Sequence, residues 1–407
     1  MNLDDSPDEA AYRARVRAWI AAHAGDIAVR AGYHRPWSDD HRALAREWQA
    51  IKADGGYACL SWPEGWGGAG GSAIEEAIFN QEELRAGLRF TYYMVGLQML
   101  IPALLRFNHD DASRALAAPA RRGDTIWCQL FSEPSSGSDS AATRTVAVRD
   151  GAEWVLNGQK VWNSGAHFAD YGMVITRTDP TVPKHKGLTV FWVRMDTPGI
   201  VVRPIRIMSG DAELNEVFLT DVRLPDSQRV GAVGEGWKVV IATLMNERAA
   251  IGAGSGLSWR EIMALARATP DGDGSAMDDA AFRDWLADYY VNAEGVRLLA
   301  FQTLTSLSRG EAPGPESAAG KLVWSNDTQD LASRALDLLD RFGIIDDAAA
   351  GAMAGAFQYR WLWSPGLRLG GGTDEIMKNI IAERVLGLPG DIRIDKDVAF
   401  KDVPTGR

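Results

Sequence analysis

TRTVAVRDGAEWVLNGQKVWNSG, residues 143–165, sets the reading of the whole chain, because its apolar residues are mostly β-branched or aromatic, come in short runs and are separated by turn formers. Asn157-Gly158, between Val155 and Val161, predicts a hairpin turn, since both central positions of the favoured two-residue loop need positive φ. The same texture begins near Thr125 and continues through YGMVITRTD, GLTVFWVRM, GIVVRPIRIM and NEVFLTDVRLP. These runs predict a β region of antiparallel strands. On its amino-terminal side, DEAAYRARVRAWIAAHA and DDHRALAREWQAIKADGG carry apolar positions three and four apart, and the second ends in paired glycines suited to a helix terminus. The Pro- and Gly-dense SWPEGWGGAGG forces an irregular loop, after which Ser72 is placed to cap a helix running through Asn80, Gln81 and Glu82. From Gly236 helical periodicity returns and lasts to about Leu388, broken by TPDGDGSAMDD, GEAPGPES and SPGLRLGGGTDE.

A chain of 407 residues exceeds one ordinary core of roughly 100–200 residues, so two or three packed regions are expected. With 46% hydrophobic residues, 24% charged residues and 15 Trp, the composition is that of a folded protein. The net charge of −11, with no basic stripe to offset it, argues against general nucleic-acid binding and leaves room only for a local basic pocket. No apolar run reaches the ~20 residues of a membrane span, and the amino terminus is acidic where a signal peptide is cationic, so the protein is expected to stay in the cytoplasm. Cys59 and Cys128 have no CxxC partner and are expected to serve packing. The six histidines show no HxxxH or HExxH spacing, and no metal site is expected. GWGGAGGS and LGGGTDE lack the Lys-Ser/Thr of a P-loop and the βαβ setting of a dinucleotide fingerprint. GAGSGLS, the nearest string to a serine nucleophile elbow, reads as helix interior.

WCQLFSEPSSGSDSAATRT (127–145), NGQKVWNSGAHFADYGMVI (157–175) and GGGTDEIMKNIIAERVLGLPGD (370–391) together resemble the acyl-CoA dehydrogenase family, a likeness that covers nearly the whole chain. PEGWGGAG and the DVRLP step leading into Gly234-Glu235-Gly236-Trp237 fit it as well. The resemblance implies an α+β fold: an amino-terminal helical domain over 1–123, a middle antiparallel β-barrel domain over 124–234 and a carboxy-terminal helical bundle over 235–407. It also implies FAD, with Gln129, Leu130 and Ser132 lining the flavin ring and Ser138 contacting the pyrophosphate. Trp162 would pack on the ring, Ser164 would lie near N5, and Thr373 and Glu375 would contact the cofactor from the start of a helix.

The family's reaction removes the α proton of an acyl-CoA thioester while hydride leaves the β carbon for flavin N5. An α C–H of a thioester is a weak acid, so the site needs a base and a polarised carbonyl away from water. Most members place the base directly before Gly-Thr in the last motif, where this chain has Gly371. A subgroup carries it on an earlier helix before an arginine, and Glu247-Arg248 match that arrangement. Val240, Thr243, Leu244 and Glu247 share one helical stripe, which would desolvate the carboxylate and raise its pKa. Gly371 then becomes an oxyanion donor through its N–H, with Gly372 and Arg248 beside the substrate.

Two departures from the family pattern concern assembly. The Arg-x-x-Phe-Gly segment that reaches a neighbour's flavin is replaced by ARATPDGDGSAMDDAAFRDWLA, where only Arg267 keeps the charge of the family's arginine, and the Gln-x-x-Gly-Gly segment is replaced by LDRFGII around Gly343. Both resemble the bacterial subgroup that acts on bulky acyl-CoAs such as steroid side chains, often as mixed assemblies. A homo- or hetero-oligomer, dimer or tetramer, is therefore expected, with Trp285, Leu286, Tyr289, Leu298 and Phe301 at its interface. An electron-transfer flavoprotein is the implied reoxidant. Two rival readings are an FAD-poor, non-catalytic subunit and a flavin oxidase or monooxygenase on the same fold.

Overall fold

Side-chain caps start the amino-terminal helices. Ser6 accepts the N–H of Glu9 and Glu9 accepts that of Ser6, opening α1 (Pro7–His23). A short α2 (Ile27–Ala31) is followed by α3 (Asp39–Asp54), capped by Ser38, and by α4 (Ala73–Arg85), where Ser72 and Glu75 form the expected reciprocal pair. Arg13 and Arg17 of α1 both reach the buried Glu82 of α4, at 3.2 and 2.8 Å. A π-helical turn at Val95–Leu100 leads into α5 (Ile101–Phe107), α6 (Asp111–Ala115) and α7 (Ala117–Arg122). The computed structural model describes residues 5–32, 36–88, 90–251, 258–309, 314–345, 347, 350–392 and 395–404; the side chains of 247–251, 304, 307, 308 and 354 also lie outside the description.

Eight strands follow: β1 (Trp127–Leu130), β2 (Val146–Asp150), β3 (Glu153–Lys160), β4 (Tyr171–Arg177), β5 (Leu188–Arg194), β6 (Ile200–Ile205), β7 (Leu214–Pro225) and β8 (Arg229–Val230). They pair in the order β6-β7-β3-β2-β4-β5-β8, with β1 added to β4. Alternation sends successive side chains to opposite faces. Met173 and Ile175 join a cluster with Leu100, Leu104, Val190 and Val239, whereas Val174 joins Leu130, Leu156, Phe191 and Val217. Burying each such side chain contributes roughly 1.5–3 kcal/mol, which fixes the register.

Three expectations change here. The sheet is mixed, since β1 runs parallel to β4 and β2 meets it in a parallel bridge. Among the described residues the ladder ends at β6 and β8 without closing into a barrel. The hairpin turn between β2 and β3 is Gly151-Ala152, with Asp150 opposite Glu153 and Gly151 at φ +64°. Asn157 and Gly158 instead lie inside β3 opposite a bulge of β7, since the pairing passes from Leu156–Val222 to Gly158–Leu219 and leaves one extra residue in β7. A Cβ on Gly158 would come within 2.4 Å of Thr145 Oγ1, so the glycine serves a close approach. The Asn157 side chain bonds Asp221, which lies in the left-handed region at φ +50°.

The chain divides into two compact units, one of residues 1–27, 36–247 and 391–407, the other of 28–35 and 248–390. Helix α8 (Gly236–Ile251) is followed by α9 (Trp259–Ala268), a small hairpin of β9 (Pro270–Asp271) and β10 (Gly274–Ser275), α10 (Ala280–Ser308), α11 (Ser317–Leu339), α12 (Ala356–Trp363) and α13 (Asp374–Ile380). Most of GAGSGLS lies outside the described residues, and its Ser258 caps α9 with Glu261 rather than lying within a helix. The core of the second unit gathers Ile262, Leu265, Phe282, Leu286, Tyr289, Leu331 and Phe357. Leu286 and Tyr289, expected at an interface, are each only 9% exposed, and Trp285 donates to Asp330 at 2.7 Å. Their apolar surface is spent inside their own unit. Both cysteines are free thiols and Cys128 is fully buried, in line with packing roles. Among the described residues no group of His, Cys, Asp and Glu could hold a metal ion, and no helix is long and apolar enough to cross a membrane.

Candidate active site

Strand β1 and the loop after β3 build a candidate ligand surface in the first unit. Val161 N–H donates to the Ser132 carbonyl at 2.9 Å, and Asn163 Nδ2 donates to the Gln129 carbonyl at 2.8 Å. On its other side the loop is held by Asn215, whose Nδ2 donates to the Asn163 carbonyl at 2.8 Å and whose own carbonyl accepts the Asn163 N–H at 3.1 Å. Trp162 stands between these anchors at φ +63°, a conformation that costs a bulky L residue of order 1–3 kcal/mol. The residue is 58% exposed. An indole held in the left-handed region without being buried is not explained by packing. Nearby, Gln129, Ser132 and Ser164 are half-buried, Leu130 is fully buried, and the Ser164 hydroxyl has no partner among the described residues. The buried Asn163 Oδ1 also lacks one. A flat indole, a strand edge and spare polar groups suit a planar heteroaromatic ligand that needs both stacking and hydrogen bonds.

The turn after β1 carries Ser138, which is exposed. Glu133 and Ser136 exchange backbone hydrogen bonds of 2.8 and 3.0 Å across its first half. The Glu133 carboxylate accepts the N–H groups of Arg144 and Thr145 at 2.7 and 2.9 Å, joining the two ends of the loop. Lys160, fully buried, donates to Glu133 at 2.8 Å and to the Phe131 carbonyl at 3.1 Å. Burial lowers the Lys160 pKa, and Lys160 holds the Glu133 carboxyl below its usual range against the burial that would raise it. Sequence reading passed over this pair. The signal was there, since Lys160 falls on the same face of β3 as Trp154 and Leu156 and a lysine in that register needs a buried anion.

In the second unit, Gly371 and Gly372 adopt φ +67° and +95° just before α13. A Cβ on Gly372 would lie 2.4 Å from Met377 Cε. Lys321, 1% exposed on α11, donates to the Gly372 carbonyl at 2.6 Å. Asp374, also buried, accepts from Arg368 at 2.7 Å and Asn326 at 3.2 Å. Thr373 is the N-cap of α13, its hydroxyl accepting the Ile376 N–H at 3.2 Å, while Glu375 is exposed. The glycine turn is thus braced by α11.

Glu247 and Arg248 lie on α8, and their side chains fall outside the described residues. Two earlier members of the predicted stripe, Val240 and Thr243, are fully buried, and Leu244 is half-buried.

Three family models match along the chain: acyl-CoA dehydrogenase N-terminal domain over residues 6–124, middle domain over 128–222 and C-terminal domain over 234–386. Acyl-CoA dehydrogenase IpdE1 of Mycobacterium tuberculosis is 36% identical over 389 residues, covering 94% of this chain and 98% of that protein. Acyl-CoA dehydrogenase FadE26 of the same organism is 31% identical, covering 84% and 88%. Among solved structures, the Tcur3481-Tcur3483 steroid ACAD matches with a TM-score of 0.82 at 28% identity, covering 96% of this chain and all of that one. The ChsE4-ChsE5 complex from Mycobacterium tuberculosis matches with a TM-score of 0.80 at 27% identity, again over 96% and 100%.

Proposed function

The chain belongs to the acyl-CoA dehydrogenase family, and we propose that it takes one hydrogen each from the α and β carbons of an acyl-CoA thioester to give the trans-2-enoyl-CoA. FAD, when bound, supplies the hydride acceptor at N5. The observation that carries this reading is Trp162, held at φ +63° and 58% exposed between the anchors of Asn163. With Gln129, Leu130, Ser132 and Ser164 it offers a surface that fits the flavin ring, and Ser138 stands on the adjoining turn for the pyrophosphate. Thr373 and Glu375, at the start of α13, are further cofactor contacts.

Glu247 is the base. Its carboxylate receives the α proton, while the β hydrogen leaves with its electron pair, so the substrate loses two hydrogens and gains one double bond. Val240 and Thr243, two turns and one turn earlier on α8, are fully buried, which supports a water-poor setting for the end of that stripe. Gly371 N–H polarises the thioester carbonyl from a turn whose positive φ values suit glycine, with Gly372 and Arg248 lining the substrate. The substrate class is a bulky acyl-CoA of the steroid side-chain kind, a reading supported by the likeness to a steroid acyl-CoA dehydrogenase. An electron-transfer flavoprotein takes the electrons onward. The test is anaerobic bleaching of the flavin band against straight-chain, branched and steroid side-chain acyl-CoAs. Bleaching by the bulky members supports the assignment, and bleaching by straight chains alone contradicts the substrate class.

A second reading, an FAD-poor subunit of a mixed oligomer, is favoured by one observation. Within the segment that stands in place of Arg-x-x-Phe-Gly, residues 270–275 form the β9–β10 hairpin. Flavin absorbance per chain after size exclusion decides it, because one FAD per chain in a homo-oligomer contradicts this reading.

A further inference from the structure

The carboxy-terminal segment 395–404 is tied to the turn that carries Ser138 through groups the reaction does not use. Lys184 Nζ lies 2.6 Å from Asp139 Oδ2 and 2.6 Å from Asp395 Oδ2, so a single ammonium joins the neighbour of Ser138 to a residue 211 positions beyond Lys184 itself. Beside it Arg177, only 3% exposed, donates to the carbonyls of Ala141 and Lys184, both at 2.6 Å, and of Thr143 at 3.3 Å. No carboxylate hydrogen-bonds this guanidinium among the described residues. Its open face is covered by the Phe400 ring at 3.8 Å. The Phe400 N–H donates to the Val182 carbonyl and the Lys401 N–H to the Pro180 carbonyl, both at 2.9 Å, and Ala399 bridges Pro183. The tail thus adds a short strand-like edge to the loop between β4 and β5, and that loop in turn grips the 139–143 turn.

Each contact alone is modest. Lys184 is shared between partly exposed carboxylates, and such pairs are individually weak and screened by salt. Their arrangement is more informative than their strength. Covering Arg177 with Phe400 keeps its carbonyl contacts away from water, where they hold the turn more firmly. Without the tail, the guanidinium would be open to solvent and Asp139 would share Lys184 with no second anchor.

We propose that residues 395–404 act as a clasp that fixes the 138–143 turn for the flavin diphosphate, making the carboxy-terminal segment a cofactor-retention element. The proposal rests on the proposed function's placing of the diphosphate at the turn that carries Ser138. It predicts that the tail touches no reacting atom and changes cofactor affinity all the same.

The test is the FAD dissociation constant, read by flavin fluorescence on the full-length apoprotein and on Asp395→Asn, Phe400→Ala and a deletion of 395–407. Ser138→Ala serves as a control for the underlying assignment. The clasp predicts a dissociation constant raised about threefold or more in each point variant and further in the deletion, with far-UV circular dichroism unchanged in the point variants. Because Asp139 and Asp395 act through one lysine, combining Asp139→Asn with Asp395→Asn should fall short of the product of the two single effects. If the tail variants bind FAD as tightly as wild type while Ser138→Ala binds it weakly, the clasp is wrong and the Ser138 assignment stands. If Ser138→Ala and the tail variants all bind as wild type, both fall together. Weak binding by the tail variants with normal binding by Ser138→Ala supports the clasp and moves the diphosphate contact to another residue of the turn. Should the deletion fail to fold, the two point variants decide the matter.

Discussion

Lys160 is where burial and charge are most directly opposed. Its ammonium has no access to water and stays tolerable because Glu133 and the Phe131 carbonyl surround it. Lys160→Met removes the cation and leaves the Glu133 carboxylate buried without its partner, so unfolding in denaturant should show a loss of about 3–5 kcal/mol. A loss under about 1 kcal/mol would mean that water reaches Glu133. Asp327 makes the opposite case. Burial, with Asp330 nearby, pushes its carboxyl up to about 6 from an ordinary 3.8. The folded state therefore holds a proton that the unfolded state releases between about pH 4 and pH 6, and stability falls as pH rises through that window. Asp327→Asn should stabilise the protein at pH 7 by on the order of 1 kcal/mol, after allowance for partial exposure. The gain should shrink toward pH 4 in melts recorded at both values.

At the scale of elements, short-range chemistry was readable and long-range pairing was not. Ser72 with Glu75 announced α4 because a capping box is complete within four residues. The apolar runs YGMVITR and LTVFWVR announced β4 and β5 for the same reason. Nothing local distinguishes a strand that pairs parallel from one that pairs antiparallel, and the β1–β4 ladder depends on residues more than forty positions apart. Asn157-Gly158 misled because positive φ and close approach both call for glycine, and only the position of Thr145 selects the second. Gly158→Val should therefore destabilise by about 1–3 kcal/mol through overpacking against Thr145, measured by thermal unfolding. The same change at Gly151, where nothing lies within 4 Å of a Cβ, should cost only its backbone strain.

Across the whole molecule, the family likeness was legible because the motifs of β1, β3 and α13 recur at fixed spacing, and the matching family models extend over 6–124, 128–222 and 234–386. The supporting residues were not legible. Lys160, Lys321 and Arg177 act by holding backbone carbonyls, and a carbonyl leaves no mark on a sequence. The proposed base follows from a position where a carboxylate is missing, Gly371, and from one where it is present, Glu247. The most direct measurement of that claim is anaerobic stopped-flow reduction of the bound flavin by a substrate that bleaches the wild-type protein, repeated with Glu247→Gln. Loss of the general base predicts reduction slower by about 10²–10⁴-fold with the flavin still bound, whereas reduction at the wild-type rate would contradict Glu247 as the group that takes the α proton.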